Sequence, residues 1–362
     1  MATVQVTATS LNLHIGGSGS ALVIGSLPHN TRLTVLPDST TLWLHVTTQG
    51  ENPARTGWVS AGYTQAVADP LPPADDATHK VTVSGQNALG PDGAVFAHAY
   101  KLGFYTYGST SLQAWLDGGA ATGGLSASAL RTLRAVCQNE GKLEAVNSYD
   151  NAFISFGMVQ WTLGQGAEAG ELAALLTLLK ADAPAVFQDC FGRYGLDLPA
   201  PATVTGYVSL AGKTLKTAAA KAPLRTAEWA YRFWRSGFST DMRTAELKLA
   251  GSRFARFSAL PALGHTVGQW MSSEHAMALM LDEHINRPGN VPKTLVTALT
   301  KLYPGGPPNP AGFSDQDEAR LIAQYLLARA KTTMTDSDKR ALAIAEACHR
   351  GELSTTRGSF KP

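Results

Sequence analysis

Apolar residues repeat with two different periods along this chain, and the change of period divides it. Over residues 3–66 they alternate with polar ones: Val4 and Val6, Leu11 and Leu13, then Val23–Leu27, Leu33–Leu36, Trp43–Val46 and Gly57–Val59. Gly, Pro and Asn separate these runs, so the segment reads as a series of short strands. Residues 67–80 are rich in Pro, Ala and Asp and read as a linker. Residues 81–120 mix strand-like runs with Phe96, Tyr100, Phe104, Tyr105, Tyr107 and Trp115. That segment either lines a cleft or forms a separate cover for the helical part of the chain; the pattern leaves both open.

Beyond Leu125 the period becomes helical. Leu130, Leu133 and Cys137 form an apolar stripe on a helix that Ser126 or Ser128 can cap, with Gly141 as its left-handed stop. Further helices are expected over Glu171–Lys180, from Thr226 to Gly237, over Asp241–Phe257 and over Glu274–Asn286. In the last of these, Met277, Met280 and Leu281 read as core. Ser314 with Asp317, and Thr335 with Asp338, have capping-box spacing at the start of two final helices.

Glu140 falls three residues after Cys137, four after Val136 and seven after Leu133, on the apolar stripe of the first helix. A carboxylate there is desolvated and faces the negative end of the helix dipole; both effects raise its pKa. A Glu that keeps its proton near neutral pH is what a general acid for glycosidic cleavage needs. Asp150 follows in a turn-rich stretch, and Ser155–Thr162 reads as extended. Two such carboxyls can divide the work of glycoside hydrolysis. One protonates the leaving oxygen; the other activates water or attacks the sugar. Tyr149, Gln160 and Trp161 beside them suit stacking and hydrogen bonding to sugar rings. Glu144, the alternative partner, reads as an exposed loop acid.

Composition narrows the choices. The 362 residues, 44% apolar and 16% charged, suffice for two or three globular domains. A net charge of +2 is too mild to argue for nucleic acid, and is compatible with an anionic polymer such as cell wall. Cys137, Cys190 and Cys348 are far apart and odd in number, so they read as buried thiols. His275 and His284 fall on opposed faces of one helix, no His-Glu-x-x-His occurs, and the Gly-rich run at 16–20 precedes no helix. No metal and no organic cofactor are expected. No apolar run approaches the ~20 residues of a membrane span. The N-terminus lacks a signal-peptide pattern, so the expectation is synthesis in the cytoplasm and non-classical delivery to the wall.

Leu11-Asn12-Leu13, Val23-Ile24-Gly25, Trp43 and Gly57-Trp58-Val59-Ser60 with Tyr63 resemble a bacterial SH3 (SH3b) domain, with His14 where that family generally carries Arg. The resemblance implies a small all-β barrel that helps bind cell wall. The stretch from Glu140 to Thr162 resembles the lysozyme-like superfamily of peptidoglycan glycosidases, which place a catalytic Glu at a helix end. Gly157-Met158-Val159-Gln160 matches the Gly-x-x-Gln signature of its lytic transglycosylase and goose-type branches, and Asp150 matches the Asp of phage-type members. Gly141 departs from the Ser that follows Glu in the transglycosylases; Ser155 or Thr162 would stand for a phage-type Thr. The resemblance implies Glu140 as acid, Asp150 as base or stabiliser, and Tyr149, Ser155, Gln160, Trp161 and Thr162 toward the substrate.

The expectation is therefore an α+β multidomain protein: an SH3b barrel over 1–66, a linker over 67–80, and a mainly α, lysozyme-like catalytic domain over 81–362. Its activity would be that of a muramidase on peptidoglycan glycan strands, as an antibacterial effector or a phage-type endolysin. An effector would add an immunity protein or a secretion-system component as partner. Three alternatives stand beside it. One is a lytic transglycosylase using Glu140 alone. Another is a cysteine peptidase or amidase built on Asp189-Cys190-Phe191-Gly192 with His265, which needs a helix starting at Cys190. The third is a wall-binding protein without activity.

Overall fold

The computed structural model describes residues 3–48, 53–66, 80–120, 122–138 and 140–362; the expected linker, but for residue 80, lies outside them. The chain is α+β with antiparallel sheets. It divides into two compact units: Met1–Asp75 with Phe191–Pro199 and Val208–Thr214, and Asp76–Cys190 with Ala200–Tyr207 and Leu215–Pro362. The first unit thus takes in two later segments that the alternation up to residue 66 did not announce.

In the first unit β1 (Thr3–Val6), β2 (Ser10–His14), β3 (Val23–Pro28), β4 (Arg32–Val35), β5 (Trp43–Thr48), β6 (Thr56–Ser60) and β7 (Thr64–Ala66) form one sheet in the order β3-β2-β6-β5-β4-β1-β7. Alternation sends Val4, Val6, Leu11, Leu13, Leu27, Leu33, Val46 and Val59 into a single core. Gly57 lets β6 cross β2 closely, since a Cβ there would stand 2.7 Å from the His14 carbonyl oxygen. Among the described residues no pairing joins β3 to β7, so the ladder is open where a closed barrel was expected.

The second unit begins with a meander, not with helices. Strands β8 (Thr82–Ser84), β9 (Asn87–Leu89), β10 (Val95–Tyr100), β11 (Gly103–Thr106), β12 (Val146–Asn147), β13 (Ser155–Phe156) and β14 (Trp161–Thr162) pair in chain order. Helices α1 (Leu112–Asp117) and α2 (Ala127–Cys137) are inserted between β11 and β12. The segment over 81–120 is therefore no separate cover: its strands belong to the same sheet as the stretch around Asp150 and Gln160.

After the sheet come α3 (Leu172–Asp182), α4 (Pro184–Cys190), α5 (Ala218–Lys221), α6 (Ala227–Ser236), α7 (Thr240–Ser258), α8 (Val267–Trp270), α9 (Glu274–Asn286), α10 (Val291–Leu302), α11 (Asp315–Arg329) and α12 (Ser337–His349). Helix α9 is the axis. It packs against α2, α7 and α12, and every residue from Ala276 to His284 is buried. A helix apolar on nearly all sides has to sit inside. Three of its buried positions are nonetheless acidic, Glu274, Asp282 and Glu283, and their partners come from elsewhere in the chain.

Some boundaries differ from expectation. Helix α2 stops at Cys137 and Gly141 is not left-handed, so Glu140 lies in the turn beyond the helix and not on its stripe. The Thr335–Asp338 box does not form, because Asp336 takes a left-handed conformation as the cap of α12. Ser314 and Asp317 do form a reciprocal box at α11. Helices α4 and α10 were not expected; α10 opens immediately after the Arg287-Pro288-Gly289 stop, with Pro292 in its first turn, where a missing N–H has no helical partner to lose. Among the described residues no helix is long and apolar enough to cross a membrane.

Candidate active site

The site grows from the end of α2. The Ser126 hydroxyl caps the helix by accepting from Ala129 N–H at 3.0 Å, and Ala129, Leu133 and Val136 bury its inner face. The chain then turns, with Glu140 N–H donating to the Cys137 carbonyl at 3.3 Å. That turn leaves the Glu140 side chain 12% exposed, against α9 and α12. One oxygen, Oε1, is held: it accepts from the Arg340 guanidinium and from Asn286 Nδ2 at 3.3 Å. Oε2 accepts no hydrogen bond from any described residue.

Arg340 is itself oriented from behind. Its Nε and Nη2 donate to Asp282 Oδ1 at 2.9 and 2.5 Å, while Arg329 pairs with Asp282 Oδ2. Asp282 is fully buried, so these two arginines are what make a charge tolerable at the centre of α9. Burial pushes the Glu140 carboxyl above its ordinary 4.5; Arg340 and Asn286 hold that rise back without cancelling it. The outcome is a carboxyl whose pKa burial raises, with one oxygen fixed and the other unpaired.

Glu140 lines a cleft of about 210 Å³ with Tyr105, Tyr107, Gly141, Ala145 and Gln160. Strand β11 presents Tyr105, whose phenol burial holds above its ordinary 10.0 and thus as a donor. Just past the strand, the Tyr107 hydroxyl donates to the Glu140 carbonyl at 3.0 Å and ties the sheet to the acid's backbone. Gln160 reaches the cleft through a strained turn. Its φ is 52°, Gly157 is also left-handed, and Gln160 Nε2 donates to the Gly157 carbonyl at 2.9 Å.

Beneath that turn lies Glu246 of α7, fully buried, accepting from Met158 N–H at 2.9 Å. Burial raises its carboxyl well above the ordinary 4.5. A Cβ at residue 157 would come within 2.6 Å of Glu246 Oε2, so glycine is required there twice over, by conformation and by space.

The other expected residues are placed differently. Asp150 is half-buried and does not line the cleft. Its Oδ2 accepts from Asn147 Nδ2 and its Oδ1 from Ala152 N–H, both at 2.9 Å, as in an Asx turn. Trp161 is fully buried, with its indole closed to solvent, and Ser155 is buried between Asn147 and Thr162 in the sheet. These two belong to the core, because β13 and β14 close one end of the meander and β14, its edge strand, is covered by α3. Thr162 is half-buried, and Tyr149 is exposed on the sheet surface.

Glu144, expected as an exposed acid, is fully buried. It accepts from Ser109 Oγ at 2.8 Å and from Thr110 N–H and Oγ1 at 3.0 and 2.7 Å, anchoring the chain before α1. Cys190 is the last residue of α4, where a dipole does not favour a thiolate, and burial pushes its thiol up to about 11. Among the described residues no group of three or more His, Cys, Asp or Glu is placed to hold a metal ion.

Arg340, Asn286, Asp282 and Glu246 had no signature in the sequence; Arg340 stands 200 residues from its carboxylate. Tyr105 and Tyr107 were visible as aromatics without an assigned place. No family model, curated protein or solved structure matches the chain.

Proposed function

We propose that the second unit cleaves the β-1,4 glycosidic bonds of peptidoglycan, with Glu140 as general acid. The observation that carries this reading is the setting of Glu140: desolvated, with its pKa raised by burial, fixed through one oxygen and unpaired at the other, in a cleft lined by tyrosines and an amide. A proton on the unpaired oxygen can pass to the leaving glycosidic oxygen as the bond breaks. Arg340 and Asn286 position the acid, and Gln160, Tyr105 and Tyr107 supply hydrogen-bonding groups beside it.

A second reading is favoured by one feature: Glu140 is the one carboxylate among the cleft-lining residues. A lytic transglycosylase would need no second acid and would release anhydro-ended products. The first unit is read as an SH3b-type module that holds wall, supported by its seven antiparallel strands and by Trp43 and Trp58, which pack on His14 and His45. The same chemistry suits an antibacterial effector, with an immunity protein as partner, or an endolysin.

The test is mass spectrometry of purified peptidoglycan digested by the wild type and by Glu140→Gln. Reducing-end muropeptides that vanish in the variant support hydrolysis through Glu140. Anhydro-ended products, lighter by one water, move the protein to the transglycosylases. Freed peptides with intact glycan, or products that persist in the variant, overturn the assignment.

A further inference from the structure

The face of the meander next to the cleft carries a patch of aromatic rings. Register pairs His98 with Tyr105 and Tyr100 with Gly103, so His98, Tyr100 and Tyr105 share one face of β10 and β11. Tyr149, from the turn after β12, leans onto the same face. Its ring centroid is 4.6 Å from that of Tyr100 and 6.2 Å from that of Tyr105, and Tyr100 in turn lies 4.6 Å from His98. Tyr100 is 48% exposed and Tyr149 37%. The hydroxyls of Tyr100, Tyr105 and Tyr149 make no hydrogen bond with any described residue. Tyr105 belongs both to this patch and to the lining of the Glu140 cleft, so the two surfaces are continuous.

Rings that serve only to cover a sheet pack inward; Phe96 does this, against Tyr231 and Trp234. Tyr100 and Tyr149 are exposed instead, touch each other and neighbouring rings, and keep a free donor and acceptor at each tip. An apolar ring bearing an unsatisfied hydroxyl suits the mixed surface of a sugar, whose C–H face can stack while its rim hydroxyls find partners. We propose that Tyr100, Tyr149 and Tyr105 form a binding track for the polysaccharide chain that flanks the cleft, so that the protein grips several sugars beyond those at the scissile bond. The proposal rests on the glycosidase reading for its substrate class.

The test uses the full chain carrying Glu140→Gln, with and without Tyr100→Ala and Tyr149→Ala together, in affinity electrophoresis through gels containing peptide-free glycan strands. The first unit is the same in both proteins, so the difference reports the second unit alone. Loss of two stacking rings should raise the apparent Kd by about ten-fold. Tyr100→Phe with Tyr149→Phe, which keeps the rings, should recover most of the retention and guards against a folding defect. Equal retention of the parent and the double alanine variant, or retention of neither, overturns the track. Cleavage of the strands by the protein with Glu140 intact is scored separately. Cleavage with ring-independent retention leaves the glycosidase reading standing and the track refuted. Ring-dependent retention without cleavage does the reverse.

Discussion

The turn after α2 and the turn after β12 each present a carboxylate, and they treat it in opposite ways. Asp150 has both oxygens committed to its own neighbourhood, one to a side-chain amide and one to a backbone N–H, and is only half-buried. Glu140 is nearly buried, and only one of its oxygens is held, by groups brought from α9 and α12. The first arrangement shapes a turn; the second leaves one carboxyl oxygen unpaired beside a cleft. On the proposed reading, what separates a structural acid from a chemical one here is not its distance along the chain from a partner. It is whether an oxygen remains unpaired where a ligand can reach it.

The sharpest way to break this comparison is to neutralise each acid in turn. Glu140→Gln should lower turnover on peptidoglycan by about 10²–10⁴-fold, or roughly 3–5 kcal/mol on the barrier, while Asp150→Asn stays within about ten-fold of wild type. Initial rates on purified wall decide it, and equal losses would restore Asp150 as a partner in the chemistry. Next in size is the support behind the acid. Asp282→Ala removes the carboxylate that Arg329 and Arg340 share, leaves Arg329 buried without an acidic partner, and should cost about 3–5 kcal/mol in a denaturant melt. Little change would mean that the arginines relax to water and do not hold Glu140 firmly.

A subtler probe moves the proton without removing the acid. Arg340 favours the ionised form of Glu140, so Arg340→Met should raise its pKa further. A general acid works while protonated, so the high-pH limb of kcat/KM should move to higher pH in this variant. A limb that stays put, with only the maximum lowered, would reduce Arg340 to a packing role. The smallest effect concerns Glu246, whose carboxyl is held well above its ordinary 4.5. The folded state binds that proton more tightly than the unfolded one, so the contribution is full below 4.5 and is lost as pH rises through the folded value. Glu246→Gln stays neutral throughout and should lose less stability than wild type between acid and alkaline pH in thermal melts. Parallel curves for the two proteins would mean that Glu246 does not carry the proton.

Local pattern went far in this chain. The first six strands of the first unit followed from alternation, α9 was expected at the bounds it has, and a serine cap at Ser126 or Ser128 and the Ser314–Asp317 box were legible because each depends on residues three apart. Glu140 stood out for the same kind of reason, an acid spaced from apolar residues, although the helix ends before reaching it. Trp161 shows where this reasoning fails. An aromatic next to an expected site can equally be the residue that fills the sheet's inner side, and only β14 lying beside α3 settles which. Glu144 failed likewise: its partners Ser109 and Thr110 lie on the other side of α1 and α2 in the chain.

By itself the sequence determined which stretches alternate, which recur at helical spacing and where several of the caps fall, because these depend on side chains a few residues apart. The tertiary structure decided how each acid is paired and how deeply it is buried. Arg340 arrives from the last helix, Asn286 from α9, and Tyr105 and Tyr107 from a sheet that the sequence alone could not join to the rest. Hydrogen bonding and desolvation at Glu140 are set by those remote groups, and a remote group leaves no periodic trace in the sequence.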